Sequence, residues 1–235
     1  MISIFDHLSS ILIAMAVALI LIAAQRSGSH TSVQQVATHS VKAKTLVFGT
    51  WIESDILDLG KNLGTNRYRF ETPITDSLGN TRRFHFFSDS TCFSGCSFAG
   101  GVNIAAGDTA RLHTRYELVP TRQVTLRGAD GSPEVRQLSR LDREVAVTKV
   151  TNETAPHPAA SEWQRDLWSI STLSHFRVEM LDRMGAEINN VEEGDYIHVR
   201  FSVVPEWILQ PENYIREIYW STTLKVRPYW DPPSS

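Results

Sequence analysis

The sequence has little cysteine, no surplus of basic residues and few uninterrupted apolar stretches. Lys and Arg number 23 against 26 Asp and Glu, for a net charge of -3. That balance offers no electrostatic footprint for a nucleic acid backbone, so nucleic acid is excluded as a partner. Familiar chemical signatures are also missing. The chain has no Gly-x-Ser-x-Gly elbow, phosphate loop, His-Glu-x-x-His pair or dinucleotide fingerprint. DSLGN and LDRMG contain oxygen ligands without the spacing of a calcium loop. The eight histidines are scattered, and Asp130 and the Glu192-Glu193 pair fall in turn-like stretches. The reading is therefore non-enzymatic, with no catalytic residue, no cofactor and no metal.

The two cysteines are Cys92 and Cys96, in TCFSGCSFAGG. They can close a tight disulfide loop in an oxidising compartment, or stand as two free thiols. A zinc site would need two more ligands, and only His85 is near in sequence.

One apolar stretch stands out. Ile11–Ala24 has no polar residue, and the start MISIFDHLSS carries Asp6 just ahead of it. Counted from Ile2, the segment approaches the roughly 20 apolar residues that a spanning helix needs. It is read as a membrane anchor over residues 8–24. A cleaved signal peptide ending near Gln25 and a buried core helix are its rivals. No Lys or Arg precedes Arg26. Arg26, Lys42 and Lys44 follow the anchor and would keep the bulk of the chain in the cytoplasm. The cysteine pair argues for export, and export is the expectation taken.

Beyond the anchor, Val33, Val36, Val41, Leu46, Trp51, Ile52, Ile56 and Leu59 recur at steps that predict an amphipathic helix. Gly28 and Gly49 interrupt it, and Gly60 and Gly64 are natural stops. From Asn66 the period becomes two. RYRFETPI and TRRFHFF flank DSLGN as a hairpin. ARLHTRYELV, RQVTLR, EVRQLSRLDREVAV, HFRVEMLD, YIHVRFSVV and EIYWSTTLKV read as further strands. TNETAPHPAASEW reads as a link, with a glycosylation sequon at Asn152. Trp207, Tyr214, Tyr219, Trp220, Tyr229 and Trp230 crowd the end, as core residues or as a partner surface. The expected domains are residues 1–25 as anchor, 26–64 as amphipathic continuation and 65–235 as an antiparallel β-rich unit.

An acid before an apolar helix, an amphipathic continuation and then an antiparallel sheet together resemble a type IV pilin or pseudopilin. FRVEMLDRMGAE, YIHVRFSVV and YWSTTLKVRP resemble the closing strands of J-type minor pseudopilins. SDILDLG resembles the end of their long helix, and RQLSRLDRE their middle strand. The likeness is one of pattern over most of the chain. Asp stands where the family has Glu, and no Phe-Thr-Leu-Ile-Glu is present.

The resemblance implies an α+β fold, a long transmembrane then amphipathic helix packed on a sheet. It implies a filament subunit of the bacterial envelope, held in the inner membrane before assembly, with its β unit periplasmic or extracellular. Its partners would be other pilin-like subunits, as homo- or hetero-oligomers. Asp6 would pair with a neighbouring subunit in the filament core, because a carboxylate among apolar groups is costly unless paired. The alternative expectation is a single-pass envelope protein whose β unit binds a ligand or partner without forming a filament.

Overall fold

Alternating residues turn one side of an extended segment toward a core, and the longest alternating segments form the longest strands. The computed structural model describes residues 2–61, 63, 70–98, 101–128, 130–151, 157–189, 194–205 and 217–226, and for 2–11, 13, 30, 31, 166–169 and 171 the backbone alone. It holds one helix, α1 (Ile2–Leu57), followed by β1 (Ile74–Thr75), β2 (Thr81–Thr91), β3 (Cys96–Ser97), β4 (Asn103–Ile104), β5 (Thr109–Arg127), β6 (Pro133–Lys149), β7 (Gln164–Leu181), β8 (Tyr196–Val203) and β9 (Ile218–Lys225). Seven strands make one sheet in the order β1-β2-β5-β6-β7-β8-β9, while β3 and β4 pair apart. Every pairing is antiparallel.

The chain divides into two compact units, Met1–Ala43 and Lys44–Ser235, and the division falls inside α1.

The expected long transmembrane helix is not supported. Among the described residues, no helix is long and apolar enough to cross a membrane. The physical reason is length. The unbroken apolar run Ile11–Ala24 spans only about 21 Å at the helical rise, against a hydrocarbon core of about 30 Å. Gln25, Arg26, Ser27 and Ser29 then interrupt it in the same helix. The dominant architecture is the antiparallel sheet, not a membrane-anchored pilin-like helix with a sheet attached.

The expected amphipathic face is also redrawn. Val33, Val36 and Leu46 are exposed. The buried positions are Thr45, Phe48, Ile52, Ile56 and Leu59, at steps of three and four. Within the second unit this stripe meets strands from across the sheet. Phe48 lies edge-on to Phe201 of β8 at 5.7 Å. Asp55 accepts hydrogen bonds from Tyr116 Oη on β5 and Arg143 on β6. After α1, Gly60 adopts φ 72° and its N–H donates to the Phe87 carbonyl of β2 at 3.0 Å.

Register separates two faces. Phe84 pairs with Tyr116, and Tyr116 with Arg143, on the side that meets α1. One residue along, His85 pairs with Arg115 and Arg115 with Glu144. Because neighbours along a strand point to opposite faces, these polar residues lie on the other side.

Candidate functional site

That second face holds an unusual amount of buried polarity. His85, Asp89, Arg111, His113, Asp142 and Thr148 are all buried. Arg111 forks onto Asp89 at 2.7 and 2.8 Å, so that pair is satisfied internally. Arg115 donates from Nε to Glu144 at 2.8 Å.

Two histidines sit among these pairs. His85 is on β2 and His113 on β5. Phe87 opposite His113 and Arg115 opposite His85 make the two rings diagonal neighbours on one face. Their rings stack with centroids 5.3 Å apart. His85 Nε2 lies 3.1 Å from His113 Nδ1, and His113 Nε2 lies 2.9 Å from Thr148 Oγ1.

Glu71 and His157 complete the group. The Glu71 N–H donates to the His85 carbonyl at 2.9 Å, which holds this segment alongside β2. Its Oε1 is 2.9 Å from His85 Nδ1 and 3.2 Å from His157 Nε2. His157 follows the polar link after β6, and its Nδ1 donates to the Pro158 carbonyl at 3.3 Å. Ala160–Glu162 form a short 3-10 turn, after which Trp163 lies over the histidines. Its ring is 5.2 Å from that of His85, edge to face, and the Arg115 guanidinium stacks on it at 4.1 Å. A cavity of about 360 Å³ has His113, Arg143 and Glu162 among its lining and does not reach Glu71, His85 or His157.

Burial sets the protonation of the rings. It lowers the pKa of His85, against the pull of Glu71, which favours the charged form. Burial lowers His113 further, to about 3, and neighbouring His85 and Arg111 add to the effect. His113 is thus a neutral imidazole near neutral pH.

No protein-family model, no curated protein and no solved structure matches this chain. The chemistry of this cluster is therefore read from its own atoms.

Of the residues named from sequence, His85 belongs to this cluster and the others lie elsewhere. Cys92 and Cys96 are joined in a disulfide, with Cα atoms 5.5 Å apart. Cys92 is fully buried in a small core with Ile104 and Ala110, so the bridge fastens the β3–β4 excursion. The backbone of Asp6 belongs to α1, and its side chain lies outside the described residues. Of the late aromatics, Trp220 stacks on Phe201 at 5.0 Å and Tyr219 is exposed. Trp207, Tyr214, Tyr229 and Trp230 lie outside the described residues, as do Asn152 and Glu192-Glu193.

The cluster was invisible as a motif because its members come from four separate stretches, around residues 71, 85, 113 and 157. One signal was available. His85 and His113 each occupy a position of an alternating strand where the opposite parity carries aromatics, so a pairing of those strands puts both on one face.

Proposed function

We propose that the protein is a non-enzymatic assembly subunit, and that its N-terminal helix packs with copies of itself in the core of a filament. The observation that carries this is the state of the apolar run. Leu12, Met15, Val17, Leu19, Ile20, Leu21 and Ile22 stand 49 to 67% exposed around the helix. Covering seven such side chains is worth on the order of 10 kcal/mol per helix. The unbroken part of the run, Ile11–Ala24, covers about 21 Å of helix, and neighbouring helices are its natural cover. Ala14, Ala16, Ala18, Ala23 and Ala24 are interspersed and let backbones approach closely. No charge falls between His7 and Arg26, so packing this stretch desolvates no ion.

This keeps the assembly half of the pilin resemblance and drops the membrane-spanning half. Asp6 would then sit at the edge of the helical core and pair with a basic group of a neighbour. The Cys92–Cys96 bridge supports placing the β unit in an oxidising compartment of a cell envelope.

Sedimentation and negative-stain microscopy of the full chain test the reading. Concentration-dependent oligomers or filaments are expected, and Ile20→Glu is expected to dissolve them while leaving the β signal in circular dichroism intact. A wild-type chain that stays monomeric at all concentrations, or an Ile20→Glu variant that assembles normally, would sink it.

A further inference from the structure

We propose that Glu71, His85 and His157 form a binding site for one divalent transition-metal ion, with zinc as the best fit. The inference is independent of the assembly reading.

Geometry comes first. One ligand atom from each residue lies within 4.8 Å of the other two. Zinc bound at about 2.0–2.1 Å in a tetrahedron sets its ligand atoms about 3.3 Å apart. Two of the three edges are already close to that, at 2.9 Å between Glu71 Oε1 and His85 Nδ1 and 3.2 Å between Glu71 Oε1 and His157 Nε2. Two imidazoles and one carboxylate suit zinc and its neighbours rather than calcium or magnesium, which prefer oxygen.

The second observation is a polar mismatch. A carbonyl oxygen only accepts, so the contact from His157 Nδ1 to the Pro158 carbonyl requires the proton on Nδ1. A neutral His157 then points the Nε2 lone pair at Glu71 Oε1, another acceptor. A neutral His157 carries one proton and can satisfy only one of these two contacts, from Nδ1 to the Pro158 carbonyl or from Nε2 to Glu71. A second proton on His157, or a metal ion between Nε2 and Glu71 Oε1, satisfies both. His157 and Glu71 are 62% and 48% exposed at their side chains, so an ion can enter from solvent and keep a water as fourth ligand.

The third is the support behind His85. Metal-bound histidines commonly use the other ring nitrogen to donate to an outer partner, and that partner fixes the ring. His85 has one, because Nε2 faces His113 Nδ1, and His113 Nε2 faces Thr148 Oγ1. Without metal, His85 Nδ1–H donates to Glu71, His113 Nδ1–H donates to His85 Nε2, and the Thr148 hydroxyl donates to His113 Nε2. With metal, both rings carry their proton on Nε2, and the Thr148 oxygen accepts. Each ring keeps one proton, the two hydrogen bonds behind His85 survive with their directions reversed, and the Nδ1–Glu71 hydrogen bond gives way to bonds from both atoms to the ion. Arg115, which acts on His85 from β5, is paired with Glu144.

Bound metal would tie the link carrying His157 to β2 and to the segment carrying Glu71. The test is zinc titration of the full chain, freed of metal by chelator and held in mild detergent, against a chromophoric zinc competitor. One zinc per chain is expected. His157→Ala and Glu71→Gln alter exposed groups, and each is expected to weaken binding at least 100-fold with an unchanged circular dichroism spectrum. Thr148→Val removes only the outer partner and is expected to weaken binding about tenfold. Cobalt in place of zinc should give the intense visible bands of four-coordination, lost in His157→Ala. Calcium and magnesium in millimolar excess should not displace zinc. The proposal is overturned if the wild-type chain binds no zinc, if both exposed variants bind as the wild type does, or if calcium or magnesium competes.

Discussion

Gly49 of α1 lies against the indole of Trp220 so closely that a Cβ at this position would stand 2.2 Å from Cε2 and 2.3 Å from Nε1. Stacking on Phe201 at 5.0 Å holds the ring in place. A mid-helix glycine normally costs about 1 kcal/mol relative to alanine. Here that cost is offset by backbone-to-indole packing that no other residue allows. Gly49→Ala should therefore destabilise the second unit by about 1–3 kcal/mol despite its better helix propensity. Urea unfolding followed by tryptophan fluorescence measures this. Combining it with Trp220→Leu should recover much of the loss, and an additive double variant would refute the contact as the cause.

Gly28 is the contrasting case. A Cβ there would meet nothing within 4 Å, and the helix continues through it. Gly28→Ala should raise helical ellipticity and gain up to about 1 kcal/mol of local helix stability. A fall in ellipticity on that substitution would mean that the glycine serves a need absent from the helix as described.

Asp55 ties α1 to the sheet. Its carboxylate accepts from Tyr116 Oη at 2.5 Å and from Arg143 Nε and Nη2 at 2.6 and 3.0 Å. Burial pushes the Tyr116 hydroxyl well above its ordinary pKa, and the Asp55 charge adds to this. The phenol stays protonated and donating. Asp55→Ala leaves a half-buried guanidinium and a buried hydroxyl short of an acceptor, at a cost of about 2–4 kcal/mol. A double-mutant cycle with Tyr116→Phe should show a coupling above about 1 kcal/mol, and a value near zero would show that the two side chains act separately.

How much of this was legible beforehand depended on the range of the interaction. Turns are local and were readable. Asp76 accepts from the Leu78 and Asn80 N–H groups, and Gly79 takes φ 79°, in the expected DSLGN turn. Gly131 takes φ 83° in the turn-like stretch around Asp130. Strand alternation was readable for the same reason. The apolar run at the N-terminus misled, because composition reported apolarity while the length before Arg26 decided whether a bilayer could be crossed. Val33 and Val36 fitted a helical period yet are exposed, while Phe48, outside the chosen set, is buried. The beginning of β7, QRDLWSIST, was passed over because it follows a proline-bearing link without a clean alternation. The histidine cluster needed the β2–β5 register and the path of the link together, and neither is local.

The Cys92–Cys96 bridge closes a very short loop, so the chain-entropy contribution is small, about 2 kcal/mol. Cys92 is nevertheless at the centre of a packed group with Ile104 and Ala110, flanked by Phe98 and Val102. Reduction, or Cys96→Ser, should loosen the β3–β4 excursion without unfolding the seven-stranded sheet. Hydrogen exchange should quicken at 92–108 and stay slow in β5 and β6. Global unfolding on reduction would show that the excursion is part of the main core.

The buried histidines give the chain an acid limit. His113 is 4% exposed and its pKa in the folded protein is about 3, against 6.5 for the free side chain. As pH falls below about 6.5, the unfolded chain takes up a proton at this position that the folded chain refuses. Stability from this group is therefore whole above pH 6.5 and is lost progressively between 6.5 and 3. The slope reaches at most about 1.4 kcal/mol per pH unit for one histidine. Burial shifts His85 in the same direction, so it adds to the loss of stability in acid. Urea unfolding of the chelator-treated chain at pH 7.5, 6, 5 and 4 should show midpoints falling with acid. His113→Gln keeps a polar group between His85 and Thr148 but cannot titrate. It should lower stability at pH 7.5 and flatten the dependence below pH 6.5. An unchanged slope in that variant would place the acid sensitivity in other groups.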